Sequence, residues 1–260
     1  MKHARLLSFL LAALLVLSSC SIGMADSLED AAEGSVDTSE MFTDRDLEIG
    51  YDEEDSAYIT LSNDSSTTTS PAVAISGNTV TIQEEGVYIL SGSLSDGMII
   101  VDAPDTDKVQ LVLNGVTITS ATSAAIYVRE ADKVFITTAA GTDNTLSNGG
   151  EYVAIDENQI DAVIFSKSDL TLNGAGTLTL QADAGHGIVS KDDLACASGT
   201  YQITAAGHGL SGKDSVRIAS GTYTITAGKD GIHAENADDT SLGFSTSEAA
   251  VLLLRRRVTV

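Results

Sequence analysis

Residues 185–206 and 207–228 are two copies of one pattern. Gly185-His186-Gly187-Ile188 returns as Gly207-His208-Gly209-Leu210, Lys191-Asp192 as Lys213-Asp214, and Ser198-Gly199-Thr200-Tyr201 as Ser220-Gly221-Thr222-Tyr223. Every matched pair stands 22 positions apart. A unit this short, made of β-branched runs cut by Gly and Asp, cannot bury an apolar face alone. It can do so only by stacking on its neighbours, which predicts an all-β parallel solenoid with coils of about 22 residues.

The same rhythm runs upstream with less regularity. Thr79-Val80-Thr81-Ile82, Met98-Ile99-Ile100-Val101, Val109-Gln110-Leu111-Val112-Leu113 and Lys133-Val134-Phe135-Ile136 are short, β-branched and bounded by turn residues, the signature of strands. Residues 162–172 match the repeat with Lys167 and Lys191 spaced by 24. Aromatics make up 5% of the chain, and 23 Gly stand against 2 Pro, which suits aliphatic ladders turning at glycine corners such as Gly199 and Gly221. Roughly eight coils fit between residues 72 and 244, a rod on the order of 38 Å at ~4.8 Å per coil. Residues 142–161 read as a loop bulging from one coil. A β-sandwich is the rival architecture, but it would not require the 22-residue self-match.

The ends differ from the middle. Lys2 and Arg5 precede an apolar run, residues 6–17, which closes on Leu17-Ser18-Ser19-Cys20. The run is too short to span a bilayer, and its end resembles the lipobox of bacterial lipoproteins. Residues 1–19 are thus expected to be a signal peptide and Cys20 the lipidated first residue of an exported protein, anchored to the bacterial cell membrane and facing outside. An ordinary secretory signal is the alternative. Residues 20–70 are acidic and Ser/Thr-rich, and are expected to form a tether largely without fixed structure, except near Tyr58-Ile59-Thr60-Leu61. The formal charge of −23 falls to −25 when the signal, with two basic and no acidic residues, is removed, and so large an acidic excess argues against nucleic acid as a partner. Residues 71–244 form the expected solenoid domain. Residues 245–260 lose the Gly-Thr corner and bring Arg255-Arg256-Arg257, so they are expected to be an aberrant, truncated or frameshifted tail. Resequencing that finds an uninterrupted frame ending at Val260 would overturn that expectation.

Stacking converts a repeated polar residue into a row. Lys167, Lys191 and Lys213 form one such row, with Asp192, Asp193 and Asp214 beside it. Asp230 falls where His186 and His208 stand in earlier coils. Neighbouring carboxylates repel unless a cation intervenes, and Ca²⁺, which takes six to eight oxygen ligands in flexible geometry, suits them. Alternating Lys/Asp pairing would satisfy the row without metal. His186 and His208 make a weak transition-metal signal without a third ligand, and otherwise fill corners. Cys196, replaced by Ile218 one period later, reads as a buried small hydrophobe. Arg129, beside Glu130, reads as a surface ion pair.

Ser190-Lys191-Asp192-Asp193-Leu194, Gly212-Lys213-Asp214-Ser215-Val216, Asp230-Gly231-Ile232 and Gly141-Thr142-Asp143-Asn144-Thr145-Leu146 together resemble bacterial surface carbohydrate-binding β-helix proteins. The resemblance implies a right-handed, single-stranded parallel β-helix like that of pectate lyases, bound Ca²⁺, and binding to acidic polysaccharide such as polygalacturonate without a need for catalysis. With the stacked rows, metal ligation is expected at Asp192, Asp193, Asp214 and Asp230, of which Asp230 matches the family's Asp-Gly-Ile element, and sugar contact at Lys167, Lys191 and Lys213. His186 and His208 replace the family's Asp. The expected protein is a monomeric, lipid-anchored binder of polysaccharide, acidic or glucan. A calcium-dependent polysaccharide lyase and a structural stalk are the alternatives.

Overall fold

Each coil lays down up to three short strands, which hydrogen-bond in parallel to their equivalents one coil away, and only Thr67–Thr68 and Val73–Ser76 pair antiparallel among the described residues. The computed structural model describes residues 41–256. An eight-stranded sheet forms one face of the rod, here face one. A twelve-stranded sheet supplies faces two and three. It counts as one sheet because the strands Lys108–Ser120 and Ser215–Ala227 run unbroken around the corner between those two faces. Among the described residues the only helix is Asp44–Leu47.

Register places like side chains one above another. On face one, Val80, Ile99, Ile126, Ile164, Ile188, Leu210 and Ile232 form a single inward ladder. Face two contributes Leu111, Ile136, Leu172, Cys196 and Ile218, and face three Ile118, Leu146, Leu180, Ile203 and Ile225. The three rows meet in one continuous core, in which each fully buried aliphatic contributes about 1.5–3 kcal/mol. Cys196 lies in this ladder with no exposed surface, as its exchange with Ile218 predicts, and burial pushes its thiol up to about 12. Tyr201 and Tyr223 stack at 4.9 Å, and each hydroxyl donates to a backbone carbonyl at the adjacent corner, Ser198 at 2.7 Å and Ser220 at 3.0 Å. Those corners need Gly199 and Gly221: both adopt positive φ (118° and 116°), and a Cβ on Gly199 would meet the Tyr201 hydroxyl at 2.8 Å.

The expected period is corrected: the solenoid has about 7 turns of about 25 residues. Steps of 22 hold only from Ile188 to Leu210 and from Leu210 to Ile232. Ile126 to Ile164 takes 38 residues, because residues 149–161 form a loop folded over the outer side of face one against Tyr127 and Phe165. The strand register is unaffected, since added residues leave the sheet at a corner. The loop is shorter than expected: Asp143–Asn148 is a face-three strand. There, buried Asn144 accepts from the amides of Gly115 (2.9 Å) and Val116 (3.0 Å) and donates to the Thr177 carbonyl (3.2 Å), tying three coils together.

Two expectations about the ends also change. From Met41 onward the supposed tether is structured. Ala57–Leu61 pairs with Gly86–Leu94, as the Tyr58-Ile59-Thr60-Leu61 pattern suggested. The short helix carries Asp46 onto face two, where Lys133 reaches it at 2.8 Å, Thr171 donates to it at 2.5 Å, and the Thr43 amide at 2.9 Å. Burial alone would raise the Asp46 carboxyl, but these donors outweigh it and hold the group at about 2. At the other end, Phe244–Arg256 does not break the stack but pairs in parallel with Ser215–Ala227. A parallel ladder is a backbone structure and accepts most side chains. Among the described residues no coil stacks on this strand, and Leu254 is 47% exposed. No helix among the described residues is long and apolar enough to cross a membrane, and Cys20 lies outside them.

Asp46→Ala strands the Lys133 ammonium, and loss of one member of a buried pair should lower unfolding free energy by about 3–5 kcal/mol. The double exchange Asp46→Leu, Lys133→Met should cost clearly less. Urea denaturation of the two variants measures both, and equal losses would refute the ion pair as the anchor that straps the segment around the short helix onto face two.

Candidate functional site

At the end of the face-one strands the chain repeatedly reads Lys-Asp before turning onto face two. The register Ser166, Ser190, Gly212 sets Lys167, Lys191 and Lys213 one above another, as the sequence predicts. Their amides continue the ladder, Lys191 donating to the Ser166 carbonyl at 2.8 Å and Lys213 to that of Ser190 at 3.0 Å. All three side chains are exposed. Their heads do not alternate with Asp192 and Asp214. Lys191 Nζ lies 5.4 Å from the centroid of the Phe165 ring, and Lys213 Nζ lies 3.3 Å from Asp238. Between Lys191 and Lys213 opens a groove of about 310 Å³ with Ser190, Ser211, His233 and Glu235 in its walls.

Behind the lysines the turn gathers Asp192, Asp193 and Asp214 with Asp169 of the preceding coil. They are not equivalent. Arg217 donates to Asp193 at 2.8 Å and Ser215 at 2.6 Å, while Asn236 donates to Asp214 at 2.6 Å. Asp192 meets no such neutral or cationic side-chain donor, its side-chain partner being the carboxyl of Asp214. Burial first, then the charges of Asp169, Asp214 and Asp193, raise it to about 6. Burial likewise raises Asp169. The cluster thus contains unrelieved negative charge that a hard cation would neutralise. The pairing of Arg217 with Asp193, across 24 residues, was not legible in the sequence.

Asp230 stands apart, at the opposite end of the face-one strands. Its Oδ2 lies 3.3 Å from His208 Nδ1 and 3.4 Å from His233 Nδ1. The His186 and His208 rings stack at 5.0 Å, and His208 and His233 at 4.1 Å. The His208 amide donates to His186 Nδ1 at 2.9 Å and the Asp230 amide to His208 Nδ1 at 3.1 Å, holding both rings as neutral acceptors. Burial, followed by the flanking His233 and His186, pulls His208 down to about 4, and burial also lowers His186. Sequence reasoning missed His233 because the 22-residue step pairs it with Ser211, not with His208.

On face three, Thr117, Thr145, Thr179, Gln202 and Thr224 form an outward row, one per coil. Arg129 pairs with Asp102 at 2.9 Å and Asp156 at 3.1 Å, not with Glu130.

Three comparisons bear on this arrangement. Residues 76–248 match the family model described as carbohydrate-binding domain-containing protein. A protein of that description from Acetivibrio thermocellus is 38% identical over 135 residues, which are 51% of this chain and 47% of the relative. The chain thus matches about half the length of that relative. A solved structure, the gadolinium derivative of a polysaccharide lyase-like protein from C. thermocellum, superposes with a TM-score of 0.75 at 36% identity, covering 78% of this chain and 83% of that one.

The raised Asp192 predicts a pH dependence with a definite sign. A carboxyl whose folded value (about 6) exceeds its ordinary 3.8 contributes stability that is complete below 3.8 and lost as pH rises through 6. Asp192→Asn should therefore raise Tm near pH 7.5 and leave it almost unchanged near pH 4 in calorimetry. An equal shift at both pH values would contradict the cluster's charge strain.

Proposed function

The chain belongs to the family of carbohydrate-binding domain-containing proteins, and on that premise we propose that it holds an extracellular polysaccharide without cleaving it. The observation that carries this reading is the face-one groove, where Lys191 and Lys213 stand in register on either side of a space of about 310 Å³ with serine hydroxyls in its walls. Ammonium groups repeated along a rod suit a polymer whose charges also repeat, so an acidic chain such as polygalacturonate is the preferred ligand. Lys167 extends the row by one coil.

A protein of −23 repels a polyanion at long range. Calcium relieves that repulsion in this reading, held by Asp192 with Asp193 and Asp214 behind the lysines. The structural neighbour is a gadolinium derivative, and Gd³⁺ and Ca²⁺ are both hard, oxygen-seeking ions. A neutral glucan would instead meet the Thr row of face three, whose hydroxyls follow one another at about 4.8 Å. The lipobox at Cys20 supports a surface lipoprotein that presents the solenoid outward.

The commitments of the arginines support binding without catalysis. A lyase reading would use Arg129 or Arg217 near the sugar, yet each guanidinium is paired with carboxylates, Arg217 with Asp193 and Arg129 with Asp102 and Asp156.

Retention on immobilised polygalacturonate should fall at least about tenfold in the Lys191→Ala, Lys213→Ala variant, the effect of one lost charged hydrogen bond. Chelator should weaken retention of the unaltered protein, and ultraviolet absorbance should detect no unsaturated uronate. Undiminished retention by the double variant would sink the groove, and product formation would restore the lyase.

A further inference from the structure

The cluster around Asp230 calls for an ion of another kind. One donor atom each from His208, Asp230 and His233 lies within 4.8 Å of the others. Asp230 Oδ2 faces Nδ1 of both rings, at 3.3 Å from His208 and 3.4 Å from His233, and His233 Nε2 lies 3.5 Å from Glu235. The His208 Nδ1 lone pair receives only the Asp230 amide, at 3.1 Å. A carboxylate converging with a nitrogen from each of two imidazoles is an arrangement that a cation would stabilise.

We infer that His208, Asp230 and His233 form a binding site for a first-row divalent ion of the Zn²⁺ or Cu²⁺ class, separate from the carboxylate cluster at Asp192. The donor set decides the class of ion. Two imidazoles and one carboxylate match the three-ligand set of catalytic zinc sites, with imidazole also suiting Cu²⁺, and leave a position open to water or to a further ligand. Ca²⁺ needs six to eight oxygens, and this cluster supplies one carboxylate. The sequence resemblance assigned Asp230 to calcium; its neighbours in space assign it elsewhere.

Access and adjustment are both available. Asp230 lines a cavity of about 450 Å³ together with Lys229, Leu254 and Arg255, and His233 lines the groove between Lys191 and Lys213. The His208 and His233 rings are nearly parallel, at 14°, so binding requires one of them to turn. His233 can do so: it lies on Ile232–Ala234, the last strand of face one, and its side chain is 29% exposed. His208 exchanges its hydrogen bond from the Asp230 amide for the metal. His186 stays one coil below, its Nδ1 bonded to the His208 amide.

The site does not depend on polysaccharide binding and is tested without any glycan. The untagged chain, stripped with chelator, is titrated with Zn²⁺ by calorimetry in the presence of millimolar Ca²⁺. One ion per chain is expected. His233→Ala and Asp230→Asn should each weaken it by at least the roughly 10- to 100-fold that even an outer-sphere partner is worth, while Asp192→Asn leaves it unchanged. Loaded with Cu²⁺, the protein should show imidazole nitrogen couplings from two rings in its electron paramagnetic resonance spectrum, reduced to one in His233→Ala. Tm of each variant is recorded, and His233→Gln replaces His233→Ala if the latter melts early. Zn²⁺ displaced by Ca²⁺, no saturable binding, or an affinity in the His233 and Asp230 variants equal to that of the unaltered protein would each overturn the assignment.

Discussion

Everything in this molecule rests on a backbone hydrogen bond that points along the rod. Because each strand pairs with its counterpart one coil on, a residue's identity matters mainly through what stands above and below it. Ile126, Ile164 and Ile188 are core because they meet each other. The same rule that fills the interior organises the surface. Lys191 and Lys213 are neighbours for the reason that Ile188 and Leu210 are. The site therefore adds no new folding problem, since the ladder that buries the core also aligns the lysines.

The polar clusters show how that alignment is a cost as well as a device. Repeating an aspartate in successive coils repeats its charge at close range, and the chain manages this unequally. Asp193 has Arg217, Asp214 has Asn236, and Asp192 is left with neighbours of its own sign. The imidazole stack faces the same difficulty and meets it by neutrality. Each lower ring accepts an amide from the coil above, so His186 and His208 can lie close without sharing charge.

What was legible in the sequence follows from this. The solenoid and the Lys row could be read because identical residues recur at a fixed step, which is a property of the chain alone. The mean coil length could not: 13 residues between Asn148 and Ala162 leave the sheet at a corner, and nothing in the register records them. Lys213 pairs with Asp238, Arg217 with Asp193 and His233 with Asp230 at offsets of 25, 24 and 3 residues, none of them the 22-residue step that the sequence displays. Asp46 was invisible for a different reason. It is one acid in an acidic segment, and its partner Thr171 is 125 residues away.

That strap has a mechanical meaning. A stack of coils with only nearest-neighbour contacts is a one-dimensional system, free to fray from either end. Here Arg45 grips Gln110, Gln110 reaches Thr137, Thr137 bonds Asn173, and Asn173 returns to the carbonyls of Asp46 and Glu48. The segment lies across the coils like a stitch through the pages of a book, so the early turns must open together or not at all. Tension applied through the N-terminal segment would load several turns in shear before it could peel the first one away.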